Sequence, residues 1–266
     1  RSTRKESSAA SDVYKRQELG APYRSSHQEK KYLEVLNTEP GKLKIGYFLP
    51  DEIKIDKEVE TAMDFTMKLC EDLGHNVENL KIDFSSTEIG FAIQTIVSAN
   101  VAYVMNSQSI ETNREVSDNF FENVSLKMAE NGNNFKASEY VAALKINHKI
   151  GQTLEKIFLD YDVILSPVLA KPPVELGYIN MNTDDMSSYV ERLTTYSPFT
   201  GIFNQSGQPS MSVPLFNSQN NLPIGSMFSA AFGNEELLFS LASQLEKASP
   251  WKQRLMNMRK KLMEST

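Results

Sequence analysis

One cysteine, Cys70, stands in a chain of 266 residues. No internal disulfide framework can form, and a lone thiol fits a reducing compartment, so the expected location is cytoplasmic. Histidine is almost as scarce: His27, His75 and His148 lie apart, without the spacing of metal ligands. Basic excess is missing too, with 28 Lys and Arg against 34 Asp and Glu and a net charge of −6. Such a chain is a poor match for a polyanion, and no nucleic-acid partner is expected. No uninterrupted apolar run reaches the roughly 18 residues of a membrane helix, and the N-terminus has no apolar signal core. No membrane partner is expected on that ground. What is present is ordinary for a globular domain: 40% hydrophobic and 23% charged residues, enough to bury a substantial core.

The first 17 residues read differently from the rest. Arg1, Arg4, Lys5, Lys15 and Arg16 outweigh Glu6 and Asp12, serine is frequent, and no helical or strand period appears. This stretch is expected to be a disordered or non-native leader, set apart from a domain over 18–266. Ala21-Pro22-Tyr23 then reads as an extended lead-in.

From Leu43 a regular pattern begins. Leu43 to Leu49 alternates, turns apolar and is closed by Pro50, as a buried strand would be. Asp56 is a natural N-cap for a helix from Lys57 to Leu73, with Val59, Met63, Phe65, Met67, Leu69, Cys70 and Leu73 as its apolar stripe and Gly74 as its end. Val77 to Leu80 starts a second strand, which makes a parallel βαβ unit. Residues 86–159 read as mostly helical, with Asn131-Gly132-Asn133-Asn134 as a loop between helices and a long helix from Ser138 to Phe158. Asp162 to Pro167 has the wholly apolar character of a central strand. Asp184 to Tyr196 reads as one helix. Ser210 to Val213, stopped by Pro214, and Pro223 to Ser229 read as strands joined by the polar turn Asn217–Asn221. Asn234 caps a helix that starts at Glu235, and Pro250-Trp251 opens the last one, with Trp251 as its anchor. The fold class is α/β, a mixed sheet flanked by helices.

Few residues offer chemistry by themselves. His75 is expected to cap the preceding helix or lie on the surface. Cys70 falls on an apolar helical face and reads as a small buried hydrophobe. Ser166-Pro167 ends a central strand, where open α/β sheets place ligands. Tyr189, Arg192 and Tyr196 share one helical face, either bordering a site or simply solvated.

Four blocks, in order, carry a resemblance. They are Leu43–Tyr47 with Leu73–Glu78; Tyr161–Pro173; Phe199–Pro214; and Leu222–Phe228 with Gly233–Leu238, Gln244–Glu246 and Pro250–Arg254. Over about residues 20–256 the chain resembles the C-terminal half of the amidase signature family. Gly177-Tyr178-Ile179, then Tyr189, Arg192 and Tyr196 to Thr200, look most like the 6-aminohexanoate-cyclic-dimer hydrolase group. Glutamyl-tRNA amidotransferase A subunits are similar but less so.

The resemblance implies hydrolysis of C–N amide bonds through an acyl-enzyme on serine, without metal or cofactor. A second serine and a neutral lysine relay the proton, which requires burial to lower the lysine pKa. The nucleophile sits in a Gly- and Ser-rich loop that supplies the oxyanion hole. No serine pair of this chain lies in such a loop, and no G-x-S-x-G motif occurs. Ser206-Gly207 comes nearest, with only one adjoining glycine. No catalytic residue is therefore expected here, and the chain is expected to be a fragment that is inactive alone. In the resemblance, Phe199, Thr200 and Phe203 wall an acyl pocket, and Asn204, Gly207 and Gln208 line the cleft. The competing readings are core packing for Phe199, Thr200 and Phe203, and for the rest a tight turn of Asn204 and Gly207 that places the next strand, with Gln208 satisfying backbone groups. The expected partner of the full-length protein is a small-molecule amide; a homodimer stays open. A stand-alone non-catalytic α/β binding protein and an A-type subunit of a tRNA-dependent amidotransferase are the alternatives. A sheet cut between strands exposes an edge, so the chain alone is expected to aggregate.

Overall fold

The structure, a computed structural model, describes residues 30–264. The 1–17 leader and the Ala21-Pro22-Tyr23 lead-in lie outside the described residues. Element order is α1 (Tyr32–Val35), β1 (Lys44–Phe48), α2 (Lys57–Asp72), β2 (Asn76–Leu80), α3 (Ser86–Thr112), α4 (Asn123–Asn134) and α5 (Ala137–Ile157). It continues with β3 (Val163–Pro167), α6 (Met186–Tyr196), α7 (Gly201–Ser206), β4 (Ser210–Asn217), β5 (Pro223–Ser229), α8 (Glu235–Ala248) and α9 (Lys252–Glu264). The chain separates into two compact units. One gathers the described residues up to Lys81 with Glu155–Pro173 and everything from Gln208 onward; the other holds Ile82–Leu154 and Val174–Gly207.

The first unit is built on a five-stranded mixed sheet in the order β2-β1-β3-β5-β4. β1 runs parallel to β2 and β3, while β5 runs antiparallel to β3 and β4. The βαβ unit forms as its pattern requires. Asp56 is extended, and its carboxylate accepts the Glu58 N–H at 2.8 Å. Val59, Ala62, Met63, Thr66 and Cys70 form the buried stripe of α2. Phe65 departs from the expected stripe: it is exposed, and its ring lies 5.9 Å from that of Phe216. Gly74, at φ +92°, takes the left-handed turn that ends α2.

Every residue of β3 is buried, which explains why its sequence is apolar without alternation. Leu165 and Phe228 meet across β3 and β5 in a core that also holds Ile45, Leu241, Leu245 and Trp251. Trp251 is buried where α9 begins, as an anchor should be.

Three sequence expectations in this unit are corrected. His75 neither caps α2 nor lies on the surface; it is buried. Its Nδ1 accepts the Leu43 N–H at 3.1 Å, and its Nε2 bonds Gln244 Oε1 at 2.8 Å. The end of α2 is closed instead by backbone, with the His75 N–H donating to Cys70. Pro214 does not stop β4, which runs on to Asn217 with an irregularity between Val213 and Phe216. An edge strand tolerates proline where the missing N–H would point away from its neighbour. Asn234 occupies the N-cap position of α8, but its side chain makes no capping bond. The two acids of the first turn, Glu235 and Glu236, suit the helix dipole there.

The second unit is helical. Asn131 to Asn134, expected as a loop, are the last turn of α4. The reason is a close helix crossing at Gly132: a Cβ there would lie 2.0 Å from the Ser98 carbonyl oxygen and 2.9 Å from Ala102. Glycine serves contact between α3 and α4, not a turn. Ala102, Met105 and Ala129 form the buried seam. α3 also departs from the expectation about membrane helices. By length and composition it is the one helix among the described residues long and apolar enough to cross a membrane. Ser, Thr, Asn and Gln interrupt its apolar run, but no charge falls between Glu88 and Glu111.

Two measurements test these contacts. His75→Phe leaves the Leu43 N–H and Gln244 without their partner, and should lower stability by ~1–3 kcal/mol in urea unfolding followed by circular dichroism. Gly132→Ala must push two helices apart and should cost about 1–3 kcal/mol or more by the same assay. An unchanged midpoint in either variant would contradict the contact described.

Candidate functional site

Residues 197–207 build a short, tightly seated segment of the second unit. Phe199 and Phe203 are 1% and 3% exposed, and Ile202 is buried with them. Gly201 lets α7 approach α3, since a Cβ there would stand 3.1 Å from Ile93. Gln205 donates from Nε2 to the Ile89 carbonyl at 3.2 Å. Gly207, at φ +80°, ends α7, and its N–H donates to Phe203 at 2.9 Å. This is the turn that the Gly207 position called for, preceded by a helical turn the sequence did not reveal. Thr200 opens it, its hydroxyl 3.3 Å from that of Ser197. Asn204 is exposed on α7.

Gln208 belongs to the first unit, so no single unit carries all five candidate residues. Gln208 is buried, and its Nε2 donates to Glu155 Oε1 at 2.9 Å. The same carboxylate oxygen accepts the Phe232 N–H at 3.0 Å. Gln208 Oε1 is buried with no hydrogen-bond partner among the described residues. Sequence reasoning missed Glu155, which stands 53 positions from Gln208 and carries no local signal.

The α6 face holds a small aromatic and cationic cluster. Arg192 lies over the Tyr178 ring at 5.6 Å and donates to the Tyr178 carbonyl at 3.2 Å. Tyr178 and Tyr196 meet edge to face at 6.1 Å. Tyr189 does not join them: it is buried, and its hydroxyl contacts the Met181 sulfur at 3.0 Å. The three expected residues therefore part: Arg192 is exposed, Tyr196 half-buried beside Tyr178, and Tyr189 turned inward.

Serine hydroxyls that look reactive in sequence are engaged in structure. Ser206 Oγ donates back to the Ile202 carbonyl at 2.7 Å. Ser188 bonds Asp185 at the start of α6, both through its N–H and its hydroxyl. Those bonds, the hydroxyl first, hold the Asp185 carboxyl below its ordinary pKa. Ser166 is buried at the end of β3, its hydroxyl 3.1 Å from the Pro167 carbonyl. The lysine shifts that are resolved run upward, through hydrogen bonds from Lys44 to Glu78, Lys68 to Asp72 and Lys81 to Asp51. Among the described residues no cluster of three or more His, Cys, Asp or Glu is placed to hold a metal. Burial pushes the Cys70 thiol up to about 12, which suits an inert core residue.

The mixed sheet flanked by helices is the α/β architecture of amidase signature enzymes. The chain matches the amidase family over residues 7–239, and it belongs to that family. A protein of Mycobacterium leprae that bears the name amidase AmiC is 28% identical over 222 residues, covering 80% of this chain and 46% of that protein. The 6-aminohexanoate-cyclic-dimer hydrolase of Paenarthrobacter ureafaciens is 24% identical over 230 residues, covering 83% of this chain and 47% of that enzyme. A solved 6-aminohexanoate cyclic dimer hydrolase with bound substrate superposes with a TM-score of 0.81 at 23% identity, over 94% of this chain and 54% of its own. The chain thus spans about half the length of the curated relatives it matches.

The inert reading of Cys70 is directly measurable. With its thiol pKa pushed up to about 12 by burial, Cys70 should stay unreacted toward a disulfide reagent at pH 8 until the chain is unfolded. Rapid labelling of the native protein would refute it.

Proposed function

We propose that this chain is the C-terminal half of an amidohydrolase that cleaves C–N amide bonds of small molecules. The single observation that carries the reading is the amidase match over residues 7–239 of a chain spanning about half of its relatives. The catalytic Ser-Ser-Lys set belongs to the other half. The engaged hydroxyls described above support that division, since a nucleophilic serine must give its proton to a base. This half contributes sheet, core and cleft wall. Phe199, Thr200, Phe203, Asn204 and Gln208 are its substrate-side residues, with Phe199 and Phe203 acting from behind as packed support.

The relatives suggest the substrate class. A cyclic amide of 6-aminohexanoate is the natural first probe, beside simple aliphatic and aryl amides. The 266-residue chain and the longer polypeptide read from its source DNA are assayed side by side for amine release. Hydrolysis is expected from the longer polypeptide alone. Turnover by the 266-residue chain itself would refute the division of labour. A longer polypeptide inactive on every amide would refute the hydrolase reading.

A further inference from the structure

We infer that the outer edge of β2 is an interaction surface, and that it takes a short, basic, extended segment of a partner protein as an added strand. Among the described residues β2 pairs with β1 only. The ladder is parallel, and the Asn76 N–H donates to the Leu43 carbonyl at 2.8 Å. In such a ladder a residue turns its N–H and its carbonyl to the same side, and successive residues alternate. Asn76, Glu78 and Leu80 therefore face β1, while Val77 and Asn79 present their backbone groups outward. Native edges are usually guarded by lysine, proline or a bulge. β2 has none of these. Its register with β1 is unbroken from Asn76 to Leu80, and Lys81, just past it, is paired with Asp51 at 2.9 Å.

α2 lies along this edge and shapes a trough of about 430 Å³ beside it. Asp64, Met67, Lys68 and Glu71 recur at helical spacing and line one side; Val77 and Asn79 line the other. Met67 and Val77 are half-buried against the core and give the trough an apolar floor. Its rim is acidic. Asp64 and Glu71 are exposed, and Asp64 has no ion pair among the described residues. Lys68 is already engaged, by Asp72 at 2.9 Å and by Glu71 at 3.9 Å. An added strand alternates its side chains, so every second one enters the trough. A lysine or arginine fits both parts of it. The methylene stem lies on Met67 and Val77, and the charged head reaches the carboxylates at the rim. The ladder supplies the binding and the acids supply the choice of partner.

The same acids argue against a second copy as the occupant. Two chains paired through this edge would bring the Asp64 and Glu71 rims together, like charge against like. The balance of the whole chain, −6, points to a basic partner as well.

Hydrogen–deuterium exchange of the Val77 and Asn79 amides tests this, with a peptide of alternating valine and lysine as the probe. Both amides should exchange rapidly in the 266-residue chain alone and slow on the order of tenfold in excess peptide. Glu78 and Leu80, already bonded to β1, should keep their rates. Asp64→Asn combined with Glu71→Gln, both at exposed positions, should weaken the peptide on the order of tenfold, and raised salt should weaken it in the parent chain. No slowing in the presence of the peptide would overturn the proposal. So would equal binding of a peptide with glutamate in place of lysine, or equal binding by the neutralised variant. Protection that grows with protein concentration, alongside a dimer mass, would assign the edge to a second copy and overturn it too. Protection without peptide in the longer polypeptide read from the source DNA would assign the edge to the rest of that polypeptide, with the same result. Amide hydrolysis is read in none of these arms, so the functional reading stands or falls separately.

Discussion

The first unit depends on β3. A strand buried along its whole length must find partners for both edges and cover for both faces. β1 supplies one edge in parallel and β5 the other in antiparallel, so β3 is the place where the sheet changes character. Its register is fixed at the entrance. The Asp162 carboxylate accepts the Lys44 N–H at 2.8 Å, and the Asp162 N–H donates to the Lys44 carbonyl at 2.9 Å. A slip of one residue would break this pair and set the Ser166 hydroxyl where Leu165 now meets Phe228. The buried hydroxyls of Thr66 and Ser226, 2.7 Å apart, then tie α2 to the sheet on the same footing.

What could be read in the sequence is what depends on near neighbours. β3 announced itself because five consecutive buried positions leave no room for a polar alternation. α2 did so because its cap, its stripe and its closing glycine lie within one helical length. The failures share a different physics. Gly132 looks like a turn residue until Ser98 is placed against it, and the sequence gives no distance between them. His75 reads as a surface cap because its two partners, Leu43 and Gln244, are 32 and 169 positions away. Pro214 reads as a strand terminator because nothing local says that its side of the strand is the edge.

The candidate site was legible to a smaller degree, for the same reason. Residue type suggested a role for Gln208, but its orientation is set by Glu155, invisible from the local sequence. Tyr189 and Arg192 share a spacing and yet part, one into the core and one over Tyr178. The hydroxyls make the point most plainly. A serine becomes a nucleophile through a base that takes its proton, and a structural serine spends the same proton on a fixed acceptor. Ser206 gives it to the Ile202 carbonyl, and Ser188 to the Asp185 carboxylate that caps α6. Composition cannot separate the two; a hydrogen-bond partner can.

Arg254 shows how α9 meets one end of β4. Its Nη1 and Nη2 donate to the Leu215 and Pro214 carbonyls of β4, its Nε is buried without a partner among the described residues, and burial lowers its pKa from the ordinary arginine value. Placing a cation there is unfavourable unless the acceptors it meets would otherwise be orphaned. Pro214 itself has no N–H to present there. Proline and arginine together therefore close the edge of β4 at one point. Ser210 and Ser212 have no such device; they carry small hydroxyl side chains, one of them already bonded to Ser229 at 2.7 Å. The change comes within the run Ser210-Met211-Ser212-Val213-Pro214: the carbonyls that meet Arg254 begin where proline interrupts the alternation of the strand.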